Sequence, residues 1–323
     1  TLPGVLYGHY PKNSFARSKE LIMKKNLFIL TSSILLMINA SAKIWRVNNT
    51  GVPADFTTAQ AANNSASVLN GDTIHLEASG ASYGNLNITK QLVIIGNGYL
   101  LGTVGSNANP DLQANPATSL LPGVSFLAGS SGSVLQGITC TGILSVVSGV
   151  SNIIIRRNRL TTVNFSSCSN IQLLQNYIDL SNVSSIQGDG STNLQINNNV
   201  LSFTINLDAA CNGDFMNNII SAKNAFGAHQ LSNFRVWNNI NVLNSSISLT
   251  SCDSRNNIGN STQFGILNGN QQNVTMSTVF EDHLNTNPAF SEDNRWQLKA
   301  GSPAIGAAWN GVATGGDCSI FGS

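Results

Sequence analysis

Apolar and polar residues alternate in short bursts through the middle of the chain, and the bursts repeat. A nine-residue unit reads Asn152-Ile-Ile-Ile-Arg-Arg-Asn158-Arg-Leu160, then Asn170-Ile-Gln-Leu-Leu-Gln-Asn176-Tyr-Ile178, then Asn193-Leu-Gln-Ile-Asn-Asn-Asn199-Val-Leu201. Weaker copies occupy residues 212–220, 233–241 and 251–259. Positions two and four are mostly apolar (Ile153 and Ile155, Ile171 and Leu173, Leu194 and Ile196, Phe234 and Val236), and a period of two predicts a strand with one face buried. The seventh position is Asn158, Asn176, Asn199, Asn218, Asn239 and Asn257, at separations of 18, 23, 19, 21 and 18. A helical solenoid is excluded, because its repeats run to about 33–47 residues, and the fixed leucine frame of a leucine-rich repeat is missing. The pattern predicts an all-β solenoid of strand–turn–strand coils of roughly twenty residues, each stacked on the next.

The asparagines then acquire a task. At the turn after each strand the backbone favours a residue that tolerates the left-handed region, which asparagine accepts better than most. Stacked coil on coil, each side-chain amide can donate to its equivalent on the next coil, satisfying polar groups that the turn buries. Asn158, Asn176, Asn199, Asn218, Asn239 and Asn257 are therefore expected to form a structural ladder that sets coil register.

Before the repeats, a strand at 44–48 is followed by Asp55-Phe-Thr-Thr-Ala-Gln-Ala-Ala-Asn-Asn-Ser-Ala, which suits a short helix over about 55–68 with Asp55 as N-cap. Gly71-Asp-Thr-Ile-His-Leu-Glu77 and Leu86-Asn-Ile-Thr-Lys-Gln-Leu-Val-Ile-Ile-Gly-Asn97 then supply further strands. With its asparagine-bearing unit, this opening resembles the right-handed parallel β-helix proteins of the pectate-lyase-like superfamily, secreted bacterial type. The resemblance implies that the helix caps the end of the core, where a bare sheet stack would invite edge pairing. The close over about 280–323, with Trp296-Gln-Leu-Lys-Ala-Gly-Ser-Pro-Ala-Ile305-Gly, is similar to the terminal segment of such proteins. The resemblance spans 43–323 as a single β-helix domain and is specific for fold but not for function, because the superfamily hosts lyases, hydrolases, esterases and adhesins. One departure is a Pro/Asn-rich stretch at about 102–123, read as a projecting loop of the kind that carries function on such scaffolds.

Composition adds a destination. Met23-Lys24-Lys25-Asn26, a largely apolar run from Leu27 to Ile38 and Ala40-Ser41-Ala42 follow the order of a secretory signal peptide over 23–42, with residues 1–22 as upstream non-native sequence. Cleavage near Ala42 implies a secreted, extracellular or cell-surface protein, and the run is too short and too polar to anchor it as an integral membrane protein. Removing 42 of 323 residues leaves 281, with eleven Lys and Arg against fourteen Asp and Glu, a net charge of −3. No basic cluster points to nucleic acid. Five cysteines (Cys140, Cys168, Cys211, Cys252 and Cys318) are odd in number and loosely spaced, and are read as small buried hydrophobes rather than a disulfide framework.

With positions two and four inward, positions three, five and eight point out. Position three gives Ile154, Gln172, Gln195, Asp214, Arg235 and Asp253, and position five gives Arg156, Leu174, Asn197, Met216, Trp237 and Arg255. Trp237 offers a stacking face for a sugar ring, with Arg235, Arg255 and Tyr177 as further glycan-binding candidates; the alternative is an ion ladder with a Trp237–Arg255 cation–π contact. Asp214, Arg235 and Asp253 are the weak catalytic candidates. They are too sparse for a Ca²⁺ cage or for the paired carboxylates of a glycosidase. His75, His229 and His283 show no metal-ligand spacing, so no metal site is expected and no cofactor, Ca²⁺ entering only if the protein is a lyase. The sequence favours a non-catalytic module that binds a polysaccharide, a cell-surface glycan or another partner, or serves a structural role. The alternative is a polysaccharide lyase or glycoside hydrolase acting on an acidic polysaccharide.

Overall fold

The computed structural model describes residues 24–25, 42–99, 117–179, 186–202, 204–208, 210–221, 229–242, 244, 246–284, 286 and 294–309. The leader read over 23–42 lies outside these residues except for Lys24, Lys25 and Ala42, as do residues 1–22, Cys318 and the projecting loop as far as residue 116. The far end of that loop is a correction: Ser119 is buried and Leu120–Leu121 is a strand in register with Thr139 and Cys140. Its two leucines supply one more apolar alternation, too short to stand out from the Pro/Asn-rich sequence before it.

From Lys43 the chain winds as a parallel β-solenoid. The first face stacks ten strands in coil order: Ile44–Val47, Thr73–Leu76, Val93–Ile95, Val134–Gln136, Ser151–Arg156, Ser169–Leu174, Thr192–Asn197, Gly213–Met216, Phe234–Trp237 and Asp253–Arg255. The other strands make two further faces, joined where the eight-residue strands Thr139–Val146 and Arg159–Ser166 run round a corner. Arg159 and Leu160 pair with Tyr177 and Ile178, whereas Val163 to Ser166 pair with Ile186 to Asp189, and the register slips between Leu160 and Thr162. Inward positions two and four (Ile153, Ile155, Ile171, Leu173, Leu194, Ile196, Phe234 and Val236) are at most 1% exposed. Each such side chain contributes roughly 1.5–3 kcal/mol by leaving water. Gly213 breaks the apolar pattern at position two for a steric reason: a Cβ there would lie 2.0 Å from the Leu194 carbonyl oxygen.

One helix, Ala59–Asn64, follows the first strand, shorter than the stretch expected. Its N-cap is Thr58, whose hydroxyl accepts the Ala61 N–H at 3.1 Å, and Ala59 and Ala62 enter the core. Asp55 does not cap it; its carboxylate accepts the Arg46 N–H at 2.8 Å. Thr58 has the extended backbone and the three-residue offset that a cap requires. Among the described residues no helix is long and apolar enough to cross a membrane.

The six ladder asparagines are buried to 1% or less, and each Nδ2 donates to Oδ1 of the next at 2.9–3.1 Å. Each backbone N–H of Asn158 to Asn239 donates to the same Oδ1 at 2.8–3.0 Å. The chain of amides begins at the Ile138 N–H, which Asn158 accepts, and runs on past Asn257 to Asn270. The left-handed residue of each turn is the one before the ladder amide: Arg157, Gln175, Asn198, Asn217, Asn238 and Asn256 have φ between 51° and 59°. That residue reverses the chain, and the next directs its amide inward beneath the strand ends.

Position eight is where outward does not mean exposed. Tyr177, Val200, Ile219, Ile240 and Ile258 are at most 1% exposed, beneath Met276, Val279, Phe280, Trp296, Ala304 and Ala308. The C-terminal segment thus lies along the flank of the coils as the lid of a second apolar core. Phe280 and Trp296 meet edge to face at 5.3 Å, and Trp296 Nε1 donates to the Tyr177 hydroxyl at 3.3 Å. Tyr177 is therefore no glycan-binding residue.

Candidate functional site

Parallel pairing fixes the outer rows. Ile154, Gln172, Gln195, Asp214, Arg235 and Asp253 are successive cross-strand partners, as are Arg156, Leu174, Asn197, Met216, Trp237 and Arg255. Asp214, Arg235, Asp253, Trp237 and Arg255 consequently share one surface. Arg235 grips Asp214 with Nε and Nη2, the latter at 2.6 Å from Oδ2, and this hydrogen-bonded pairing raises the guanidinium pKa. Asp253 accepts Trp237 Nε1 at 3.1 Å and Arg255 Nε at 2.8 Å.

The guanidinium carbons of Arg235 and Arg255 stand 5.2 and 5.9 Å from the Trp237 ring, within cation–π range. Arg255 also lies 5.7 Å from the ring of Trp309, a residue the repeat pattern did not bring into view. Trp309 arrives on the C-terminal segment: its N–H donates to Asn238 Oδ1, and its carbonyl accepts Asn238 Nδ2 at 2.8 Å. Asn256 Nδ2 holds the Ala307 carbonyl at 2.8 Å. The left-handed asparagines of the last two full turns thus double as clasps, and Arg255 lies within cation–π range of two indoles.

As a catalytic set the arrangement is occupied. Both oxygens of Asp214 are taken by Arg235, and Asp253 bears two donors, whereas glycosidase chemistry needs one carboxyl that donates and another that activates water or attacks. Among the described residues no group of three or more His, Cys, Asp or Glu is placed to hold a metal. Cys140, Cys168 and Cys211 are buried free thiols and Cys252 is half-buried; burial pushes the Cys140 thiol up to about 11, far from a nucleophile.

His229 is buried inside the coil. Its Nδ1 accepts the Ile205 N–H at 3.3 Å, which leaves the proton on Nε2 without a partner. Burial pushes its pKa from 6.5 down to about 4. The native state holds the neutral ring, so this site is indifferent above about pH 6.5. Stability should fall by about 1.4 kcal/mol per pH unit below that, reaching a loss on the order of 3 kcal/mol near pH 4. Urea midpoints from pH 7 to 4.5 should show this slope in the wild type and a flatter one in His229→Gln; equal slopes would refute it.

No family model, curated protein or solved structure matches the chain.

Proposed function

We propose that this protein is an exported, non-catalytic solenoid of the right-handed pectate-lyase-like kind, binding an acidic glycan on the outer face of its first sheet. The observation that carries the reading is the Trp237–Arg255–Trp309 arrangement. Arg255 spends only Nε on Asp253, which leaves its Nη donors for a carboxylate or sulfate while the indoles offer apolar edges to a sugar. Pairing of the two nearby carboxylates supports binding over turnover. The charged start, apolar run and small-residue close over 23–42 support export, and right-handed winding is the sense that parallel crossovers adopt.

Affinity electrophoresis through immobilised polygalacturonate or chondroitin sulfate tests this. The wild type should be retarded, and Trp237→Ala with Arg255→Gln should run about tenfold more weakly bound, since a hydrogen bond to a charged group is worth about 1.5–3 kcal/mol. Absence of retardation on both gels sinks the reading. Release of unsaturated uronate that Arg235→Ala abolishes would make the protein a lyase instead.

A further inference from the structure

We infer that a second anion subsite lies on the same solenoid, at the corner marked by Arg156 and Arg157. Beside it opens a cleft of about 360 Å³, lined by Gly96, Gly98, Tyr99, Gln136, Gly137 and Arg157. The cleft is recessed because two coils touch through glycine: a Cβ on Gly96 would lie 2.3 Å from the Gly137 carbonyl oxygen, so no side chain can fill the floor.

What singles out this corner is how its arginines are held. Arg46, Arg159, Arg235 and Arg255 each bind a carboxylate: Glu77, Asp179, Asp214 and Asp253. Arg156 and Arg157 do not. Arg156 Nε donates to Gln136 Oε1 of the preceding coil at 2.8 Å, and Arg157 Nε donates to Gln175 Oε1 of the following coil at 2.9 Å. Neutral acceptors on the coils to either side thus orient two exposed guanidiniums without cancelling their charge, and the Nη groups keep their donors. The left-handed φ of 53° at Arg157 fixes its stem as well. Among the described residues neither guanidinium has a carboxylate partner, so each keeps its charge for an anion. Their counter-charge is a ligand.

The ligand class follows from placement, and here the argument rests on the glycan reading above. Arg156 and Trp237 share one outer row, four strand spacings apart, roughly 19 Å. Between them the row carries Leu174, Asn197 and Met216, none charged. Alongside runs a shallow groove of about 150 Å³ bordered by the amides of Asn170, Gln172, Asn193 and Gln195. A cationic end at Arg156 and Arg157 and an aromatic, arginine-bearing end at Trp237, with a neutral, amide-edged strip between them, suit a linear polysaccharide with repeated carboxylates or sulfates. Two contacts on one polymer reinforce each other through effective concentration. The net charge of −3 over residues 43–323 does not oppose this, because charges beyond about 8 Å are screened at physiological salt.

The test is binding of polygalacturonate, chondroitin sulfate, neutral dextran and inorganic sulfate to wild type, to Arg156→Gln/Arg157→Asn and to Trp237→Ala. Asparagine suits the left-handed φ at 157, so the double variant should keep the wild-type circular dichroism. It should bind whichever acidic polymer the wild type prefers about tenfold more weakly, with dextran held by neither. Wild-type affinity in the double variant alongside a loss in Trp237→Ala overturns the subsite and leaves the glycan reading standing. If the wild type holds no polymer, but sulfate raises its unfolding temperature more than the double variant's, the anion subsite stands and the glycan reading falls. Equal response of both proteins to every probe overturns the subsite.

Discussion

Replacing Asn199 by alanine should cost the solenoid about 4 kcal/mol, near the upper end of what one surface-remote polar truncation does. Asn199 Oδ1 accepts both the backbone N–H and the Nδ2 of Asn176, at 2.9 and 3.1 Å. Its own Nδ2 donates to the Leu173 and Asn197 carbonyls and to Asn218 Oδ1, at 2.8–3.1 Å. The site is fully buried, so water cannot replace these partners without opening the coil. An unsatisfied buried group costs about 1–3 kcal/mol, and alanine takes the acceptor from the Asn176 backbone N–H and a donor from the Leu173 carbonyl while adding a cavity. Asn199→Asp should be no milder at pH 7, because it sets a buried carboxylate against three acceptor oxygens. Gln195→Ala, on the outward row, should stay within about 0.5 kcal/mol. Guanidinium midpoints measure all three. The break lies in mid-ladder, and stacked coils hold together through neighbours alone, so the denaturant slope of Asn199→Ala should also fall as the two halves uncouple. A loss below about 1 kcal/mol would show that the ladder merely accompanies the stack.

Much of this was legible in the chain because the repeat carries both periodicity and phase. Once Ile153, Ile171 and Leu194 are matched at position two, the outer rows follow, and Asp214, Arg235 and Asp253 must be cross-strand neighbours. The left-handed residue was harder to assign. Four of the six turns read Asn-Asn (Asn198-Asn199, Asn217-Asn218, Asn238-Asn239 and Asn256-Asn257), and composition cannot say which asparagine bends and which bonds. Only Arg157-Asn158 and Gln175-Asn176 separate the roles, since arginine has no amide and that of glutamine sits one methylene farther from the backbone. Position eight carried its own signal: Tyr177, Val200, Ile219, Ile240 and Ile258 are apolar, whereas Arg159 at the head of the row pairs with Asp179. A strand unit tells which way a side chain points, not what lies over it. Trp309 was out of reach for the same reason, as its partner Asn238 lies 71 residues away and the contact belongs to no repeat.

That lid makes the second large effect. Trp296→Ala should remove about 3–5 kcal/mol of packing, the usual cost of truncating a buried tryptophan, but from the lid rather than from the coils. Trp296 is 3% exposed, edge-on to Phe280, with Arg295 4.3 Å from its ring and its N–H on Tyr177. The coils keep their own core and the whole asparagine ladder, so far-ultraviolet circular dichroism should persist while the segment over Met276–Ala308 loosens. Five apolar side chains from Tyr177 to Ile258 would then meet water, which should appear as dye binding and as protease cleavage within the segment. Loosening also frees Trp309 from its clasp at Asn238, so the acidic-glycan affinity assigned to the Trp237–Arg255–Trp309 face should fall in the same variant, although Trp296 itself does not reach that face. Tyr177→Phe, which removes one hydroxyl and keeps the ring, should cost only about 1 kcal/mol and leave the segment protected. If Trp296→Ala instead unfolds the coils and lid in one transition, the lid is an integral part of the solenoid. If it leaves the segment fully protected, the second apolar core is held by Phe280 and its neighbours without the indole.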